Sequence, residues 1–291
     1  MIKVKKHAVV RRFRKFKTLT TPIQPVFWKK IEKTVRLGRK VKHMEVINSE
    51  WFMKGCAPDD PKRVHTIDEA ADLIRKVGFL PLFSNNIPGF SLEEHVTPDS
   101  WWTDDPEHDP WSWRQILAKY KDIAYGKFFE KKAGFISKKW FPIFANYRRN
   151  GYDFDALFDD ELASRRAKKL MDEFEGGREW LSFEVKEKAG FGKGGEKNFE
   201  GTLSDLQMQT YLIASDFRQK VNKKGEPYGW HIAALTMPEN KFGYKFVTGK
   251  YSEKPSESWE RIVKQIRKHF PGANEKEIRK IIGIKYPGGS R

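Results

Sequence analysis

Apolar residues recur at helical spacing in "TIDEAADLIRKVGF", where Ile67, Ala70, Ala71 and Ile74 share one face. Thr66 and Glu69 form a capping box ahead of that face and Gly78 supplies a stop, so the pattern predicts a helix between them. In "DPWSWRQILAKYKDIAYGKFF" the pattern turns helical again, with Trp113, Ile116, Leu117 and Tyr120 on one side after an Asp109-Pro110 start. "SKKWFPIFANYRR" predicts a further helix. "DALFDDELASRRAKKLMDEFE" reads as one long helix that packs through Leu157, Leu162, Leu170 and Phe174.

The next segment changes character. In "LSFEVKEKAG" Ser182 can cap a short helix that turns Val185 and Ala189 inward and stops at Gly190. Phe199, Leu203, Leu206 and Thr210 then mark one face of a second helix. "YLIASDFRQK" is rich in strand formers, "VNKKGEPYG" holds the turn residues Asn222, Gly225 and Pro227, and "WHIAALTM" reads as a returning strand. Helix, helix, turn, helix and a two-stranded wing is the order of a winged helix-turn-helix. The expected fold class is therefore α-rich α+β: a winged helix-turn-helix core with additional helices.

Four regions are expected: a basic, disordered extension at 1–43, a helical and loop-rich region at 44–110, a winged-helix region at 111–250, and C-terminal helices at 251–291. In the last, Trp259, Ile262, Val263 and Ile266 form an apolar stripe, Pro271-Gly272 breaks it, and Asn274 with Glu277 opens a second helix.

"AGFGKGGEKNF" contains a GxGxxG match at Gly190, Gly192 and Gly195, with Lys193 inside it. A dinucleotide fingerprint needs a buried apolar strand just before the first glycine, and "LSFEVKEKA" is charged there. A phosphate loop needs a hydroxyl after its lysine, whereas Lys193 precedes glycine. No nucleotide cofactor is expected, and the glycines read as turn residues.

Charge separates the chain into two parts. The net charge is +17, and residues 1–43 hold fifteen lysines and arginines against the single acid Glu32. That segment reads either as an arm that tracks a phosphate backbone or as an upstream extension before a start at Met44. Between 127 and 149, Lys127, Lys131, Lys132, Lys138, Lys139, Arg148 and Arg149 face one acid, Glu130, and are interleaved with Phe128, Phe129, Phe135, Trp140, Phe141, Phe144 and Tyr147. These cations are the candidate phosphate contacts in the body of the chain, together with Lys193 and the wing residues Arg218, Lys220, Lys223 and Lys224. They equally fit a solvated helix face, and the aromatics fit a core. The helix after the glycine turn carries Glu196, Glu200 and Asp205 against Lys197 alone, which argues against that helix meeting phosphate.

Residues 93–109 hold seven acids and no lysine or arginine, with His95 and His108 nearby. Prolines and the absence of ligand spacing favour a solvated loop over a metal site. Cys56 is the lone cysteine, so no internal disulfide or multi-cysteine zinc site is expected. A reducing, cytoplasmic setting fits, with no membrane span, metal or cofactor. No GxSxG or HEXXH motif points to hydrolytic chemistry.

The string "LSFEVKEKAGFGKGGEKNFEGTLSDLQMQTYLIASDF", with "DPWSWR", "AYGKFF", "KAGFISKKWFP", "NYRRNGYDFDA" and "YGW", resembles the AlkZ-related proteins from about Thr66 to Ile282. These are akin to the AlkZ/YcaQ winged-helix DNA glycosylases, which remove bulky or crosslinking alkylated purines. The resemblance implies a DNA-binding winged-helix protein, with double-stranded DNA as partner and DNA repair as setting. In the glycosylases a glutamine, apolar, glutamine motif near the N-terminus of the chain is catalytic. Here Gln207-Met208-Gln209 matches it, in the second half.

An N7-alkylpurine is already a good leaving group, so an enzyme needs mainly to position water and support the developing sugar cation; glutamine amides can orient water but cannot act as a general base. Two glutamines at a helix end are also ordinary polar positions. Monofunctional glycosylase activity therefore stays open beside a non-catalytic DNA-binding regulator and a winged-helix protein-interaction scaffold. The glycosylase reading needs the helix to end near Leu206, so that Gln207 and Gln209 share a face. The DNA reading expects Lys131, Lys138, Lys139, Arg148 and Arg149 at the surface, on the side of the 222–226 turn.

Overall fold

A computed structural model of the protein describes residues 44–47 and 50–283, so the basic segment 1–43 lies outside the described residues. Short strands β1 (Met44–Ile47) and β2 (Glu50–Met53) form a hairpin of their own. Helix α1 (Ile67–Val77) begins where its capping box stands: Thr66 Oγ1 accepts from the Glu69 amide at 3.2 Å, and the Glu69 carboxylate accepts from the His65 amide at 2.6 Å. Gly78 ends it at φ 96°, a conformation open to glycine, beneath the Trp140 ring.

The body is α+β, around a six-stranded antiparallel sheet. From β3 (Phe79–Pro81), β4 (Ile123–Phe129), β5 (Lys132–Ser137), β6 (Trp180–Leu181), β7 (Ile213–Val221) and β8 (Pro227–Thr236), the order across the sheet is β3-β5-β4-β7-β8-β6. It draws on segments from both sides of residue 110. Helix α2 (Pro110–Leu117) is shorter than its periodicity predicts, because the chain turns at Tyr120 and becomes strand at Ile123. The run read as helix through Phe129 is thus half of a hairpin. Both faces of β4 are covered, and Ile123, Ala124, Tyr125, Phe128 and Phe129 are buried, so its sequence lacks the strand alternation that would have marked it.

Helix α3 (Phe141–Arg149) follows as expected and ends at Asn150 in the left-handed region. The long helix expected over 155–175 is instead α4 (Phe154–Asp159) and α5 (Arg165–Asp172). Ser164 caps α5 by accepting from the Ala167 amide, and Glu161 sits at φ 59° in the break. Helices α6 (Ser182–Lys188) and α7 (Phe199–Met208) precede the β7–β8 hairpin. Ser182 is the first residue of α6, not its cap; Glu184 reaches back to accept from the Leu181 amide at 2.9 Å. Two short helices, α8 (Pro238–Phe242) and α9 (Tyr244–Val247), lead to α10 (Pro255–His269) and α11 (Glu275–Ile282), the latter capped by Asn274 as its sequence predicts. Ile262, Val263 and Ile266 turn inward, and Asn146 of α3 donates to Ser258 Oγ of α10 at 3.0 Å.

The acidic stretch 93–109 is not a solvated loop throughout. Glu93 is fully buried and its carboxylate accepts from the amides of Lys54 and Ser84 at 2.9 and 2.8 Å; burial raises its pKa. Asp109 is buried as the α2 cap, accepting from the amides of Trp102 and Trp111 and from the Ser112 hydroxyl. The acids there are consumed by backbone amides that the core would otherwise leave bare. Among the described residues no group of His, Cys, Asp and Glu is arranged to hold a metal, and no helix is long and apolar enough to cross a membrane.

Two features give expected outcomes. The buried Arg149 guanidinium meets Glu239 at 2.5 Å, and its Nη2 donates to the Thr210 carbonyl at 2.6 Å. Glu239→Ala should lower the unfolding free energy by about 3–5 kcal/mol, because it strands a buried cation. Arg149→Met with Glu239→Leu should recover most of that loss in urea unfolding.

Lys241 Nζ donates to the carbonyls of Ala118 and Ile123, at 2.6 and 2.7 Å, and burial pulls its pKa down to about 8. Between that value and its ordinary value of 10.5 the unfolded chain binds more protons than the native protein. Stability from this group should therefore rise with pH across that window, by up to about 3 kcal/mol. The rise is read as the difference between the unfolding curves of the natural protein and Lys241→Met.

Candidate nucleic-acid interface

The glycine-rich stretch turns the chain between α6 and α7. Gly190, Gly192 and Gly194 have φ of 72°, 154° and 81°, and the Glu196 amide donates to the Gly190 carbonyl at 2.9 Å to close the loop. Gly195 passes so close to that carbonyl that a Cβ would stand 2.2 Å from it. Phe191 inserts beneath the loop and meets Phe199 edge-on, with centroids 5.3 Å apart. This leaves Lys193 exposed at the tip. It shares an open concavity of about 330 Å³ with Lys186 and Phe183 of α6.

The β7–β8 hairpin meets α6, where Lys220 approaches Phe183. Asn222 Oδ1 accepts from the amides of Lys224 and Glu226, fixing the turn, and Gly225 takes φ 82°. Lys223 and Lys224 are exposed there, and Lys220 Nζ lies 4.3 Å from the Phe183 ring centroid. Lys186 and Lys193 thus line one concavity with Phe183 and Glu187, Lys220 approaches the Phe183 ring from the hairpin, and Lys186 Nζ lies 5.8 Å from the Phe199 ring centroid. None of Lys186, Lys188, Lys193, Lys197, Lys220, Lys223 and Lys224 is held in an ion pair among the described residues. Arg218 differs: its Nε donates to Asp216 at 3.0 Å and its Nη2 to Glu179, and these neighbours hold its pKa above the ordinary value.

The cations of 127–149 do not form one surface patch. Arg148 and Arg149 are 1% and 3% exposed, and Arg148 Nη2 donates to the Phe128 carbonyl at 2.6 Å. Burial opposes the charge on Arg149, but Glu239 and the oxygens of Tyr251 and Tyr211 raise its pKa above the ordinary value. The expectation that both reach the surface is corrected: they project inward from α3 to satisfy carbonyls in the core. Lys127 lies 3.7 Å from Glu200, and Lys131 lies 2.5 Å from Asp205. Lys132 is 3.6 Å from Glu130, Lys138 is 4.9 Å from the Phe246 ring centroid, and Lys139 is exposed. The interleaved aromatics are largely core: Phe128, Phe129, Phe135, Phe141 and Phe144 are buried.

The β4–β5 hairpin thus lies over α7, and its lysines neutralise the acids of that helix. Gln207 is part of this packing. It is 4% exposed, and its Oε1 accepts from the Lys127 amide at 2.9 Å where the β4–β5 register shifts. Helical geometry persists through Gln209, which caps α7 at φ −77°, ψ 0°, and the chain leaves it only at Thr210, φ 67°. The two amides are two positions apart on helical backbone and point about 200° from each other. The shared face that the glutamine motif was expected to present is not formed.

Sequence reasoning passed over Lys186, Lys188 and Lys197 as cations of the interface. Lys186 and Lys188 served there only to show that the segment is not a buried strand. Their signal was the alternation of charge in "EVKEKAG", on a helix with just Val185 and Ala189 buried.

No curated protein and no solved structure matches the chain. A family model described as AlkZ related matches residues 64–283, which take in the whole six-stranded sheet and every helix from α1 to α11, and the chain belongs to the AlkZ-related family.

Proposed function

We propose that the protein binds double-stranded DNA through a winged helix whose phosphate contacts come from α6, the glycine turn and the β7–β8 wing. Helix α5, strand β6, helices α6 and α7, and strands β7 and β8 follow one another in winged-helix order, with β8 between β6 and β7. The observation that carries the reading is the grouping of Lys186 and Lys193 in one concavity with Phe183, whose ring Lys220 approaches, with Lys223 and Lys224 exposed at the tip of the same hairpin. Lysines without carboxylate partners on a helix, a turn and a hairpin tip suit a backbone running past all three. Membership of the AlkZ-related family supports DNA as the partner.

Helix α7 takes no groove-reading role in this proposal. Its outward acids Glu200 and Asp205 are already paired with hairpin lysines, and acids there repel phosphate. Binding should therefore be strongly salt-dependent, with modest sequence preference. Divergence of Gln207 and Gln209, with the Gln207 carbonyl engaged by backbone, favours binding without glutamine-assisted base release.

In duplex binding across a salt series, Lys186→Glu with Lys193→Glu and Lys220→Glu should weaken affinity and flatten the log–log salt slope by about 0.9 for each phosphate that is no longer neutralised. Lys131→Glu with Lys139→Glu should change the slope little. An unchanged slope in the first variant would remove this face from the interface.

The glutamines are tested separately. Gln207→Ala strands the Lys127 amide and should lower the unfolding free energy by about 1–3 kcal/mol, whereas half-buried Gln209→Ala should cost less. On a duplex carrying an N7-alkylguanine, base release at matched DNA occupancy should be absent, or equal in the natural protein and both variants. Loss of release with binding retained would instead establish the amides as catalytic.

A further inference from the structure

Arg114 is the one buried guanidinium whose surroundings in the described residues give it neither a hydrogen bond nor an ion pair. It projects from α2 three residues after Trp111, on the same face. Its guanidinium carbon is 3.7 Å from the Trp111 ring centroid and 4.7 Å from that of Phe217 on β7, so the group is flanked by two rings. The residue is only 6% exposed, and Nε is enclosed without a partner. Nη1 and Nη2 are not enclosed in that way.

Neighbouring carboxylates are committed elsewhere. Asp109 accepts from two backbone amides and Ser112, while Asp216 accepts from Lys119, Arg218 and the Phe217 amide. Burial pulls the pKa of Arg114 down, and the nearby Tyr125 and Asp109 oxygens offset that only in part. A packing role alone would be met by an apolar side chain of similar length, and an unpaired buried cation is costly to keep. Ring contacts soften that cost and fix the plane of the group. What they leave free is the edge that matches two oxygens of one oxyanion.

The surroundings select among oxyanions. Trp102, Trp111 and Phe217 are partly exposed, and exposed His231 on β8 is near enough to feel Arg114; burial, Arg114 and Lys119 lower its pKa against the pull of Asp216. Cation and aromatic surfaces in one place suit a nucleotide, with the phosphate on the fork and the base against a ring. Phe217 faces α2, while its neighbour Arg218 reaches Glu179 ahead of β6, so this place is separate from the lysines around Phe183. We propose that Arg114 is the receptor for a backbone phosphate of single-stranded nucleic acid, held through Nη1 and Nη2.

The test uses the full chain, a fluorescent short oligothymidylate, and inorganic phosphate, thymidine monophosphate and acetate as competitors. Arg114→Gln should weaken oligothymidylate binding about tenfold or more, and Arg114→Lys, which keeps charge but loses the fork, by a smaller factor. The same loss should appear when Arg114→Gln is added to the Lys186→Glu, Lys193→Glu, Lys220→Glu variant, which separates this site from the duplex-binding face. Without ligand, Arg114→Gln should melt no lower than the natural protein, because it removes a charge that burial disfavours and that makes no hydrogen bond or ion pair. Phosphate should compete and acetate should not.

Binding within twofold of the natural protein in Arg114→Gln, or absent from the natural protein, overturns the proposal. Competition by acetate as strong as by phosphate overturns the phosphate assignment. Thymidine monophosphate binding as tightly as the strand overturns the nucleic-acid source in favour of a free phosphomonoester. Lower melting in both variants, with binding lost only in proportion to the unfolded fraction, makes Arg114 a packing residue and ends the proposal.

Discussion

Two guanidinium groups on α3 hold the body together. A core assembled from short helices and strands leaves carbonyls at every element end, and each needs a donor once buried. Arg148 Nη2 serves the carbonyl of Phe128 on β4 and, at 3.2 Å, that of Ile282 at the end of α11. Arg149 serves the carbonyl of Thr210, where α7 turns into β7, and meets Glu239 of α8 and the Tyr251 hydroxyl. Strand β4, the start of β7 and the C-terminal helices are thus tied to one helix by donors that cannot lose their charge at ordinary pH.

From that anchoring follows the covered state of α7. With β4 fixed against α3 and the α7–β7 junction fixed by Arg149, the β4–β5 hairpin must lie along α7. The Lys127 amide then needs an acceptor at the register shift, and Gln207 supplies it. Lys127 and Lys131 meet Glu200 and Asp205 across the same packing surface. Acids that look unsuited to a DNA-reading helix are well suited to one that packs under a basic hairpin. A glutamine pair that looks like a water-positioning motif is split between a backbone contact and a helix cap.

Several signals were legible where the chemistry is local, though Ser182 proved to lie inside its helix and the Ser164 cap was passed over. The Thr66–Glu69 and Asn274–Glu277 caps, the turn at Asn222 and the glycine turn at 190–195 sit where their residue types place them, because each is decided within a few positions. The sheet was less legible. Strand β4 is buried on both sides, and its apolar run "IAYGKFF" continues the stripe of α2 without a break in composition, so periodicity alone could not separate them. The basic run 127–149 misled for a related reason. Sequence shows the charge of Arg148 and Arg149 but not the carbonyls of residues 128, 210 and 282 that draw them inward from more than 60 positions away in one case and more than 130 in another.

The division of cations explains why the candidate interface lies where it does. Between 127 and 149, the described side chains spend their charge on α7, on aromatic rings or in the core, leaving Lys139 exposed without a described ion pair. On α6, the turn and the β7–β8 hairpin, acids are fewer than lysines, and most are engaged: Glu184 with the Leu181 amide, Glu196 with Lys169, Glu226 with Asn222, while Glu187 stays exposed in the concavity beside Lys186. Their lysines remain uncompensated on elements whose backbone is fixed by glycine and asparagine turns. A polyanion gains most where cations have no internal partner and the scaffold needs no rearrangement to present them. Net charge locates no interface by itself; the cations left over after the fold has used the rest do.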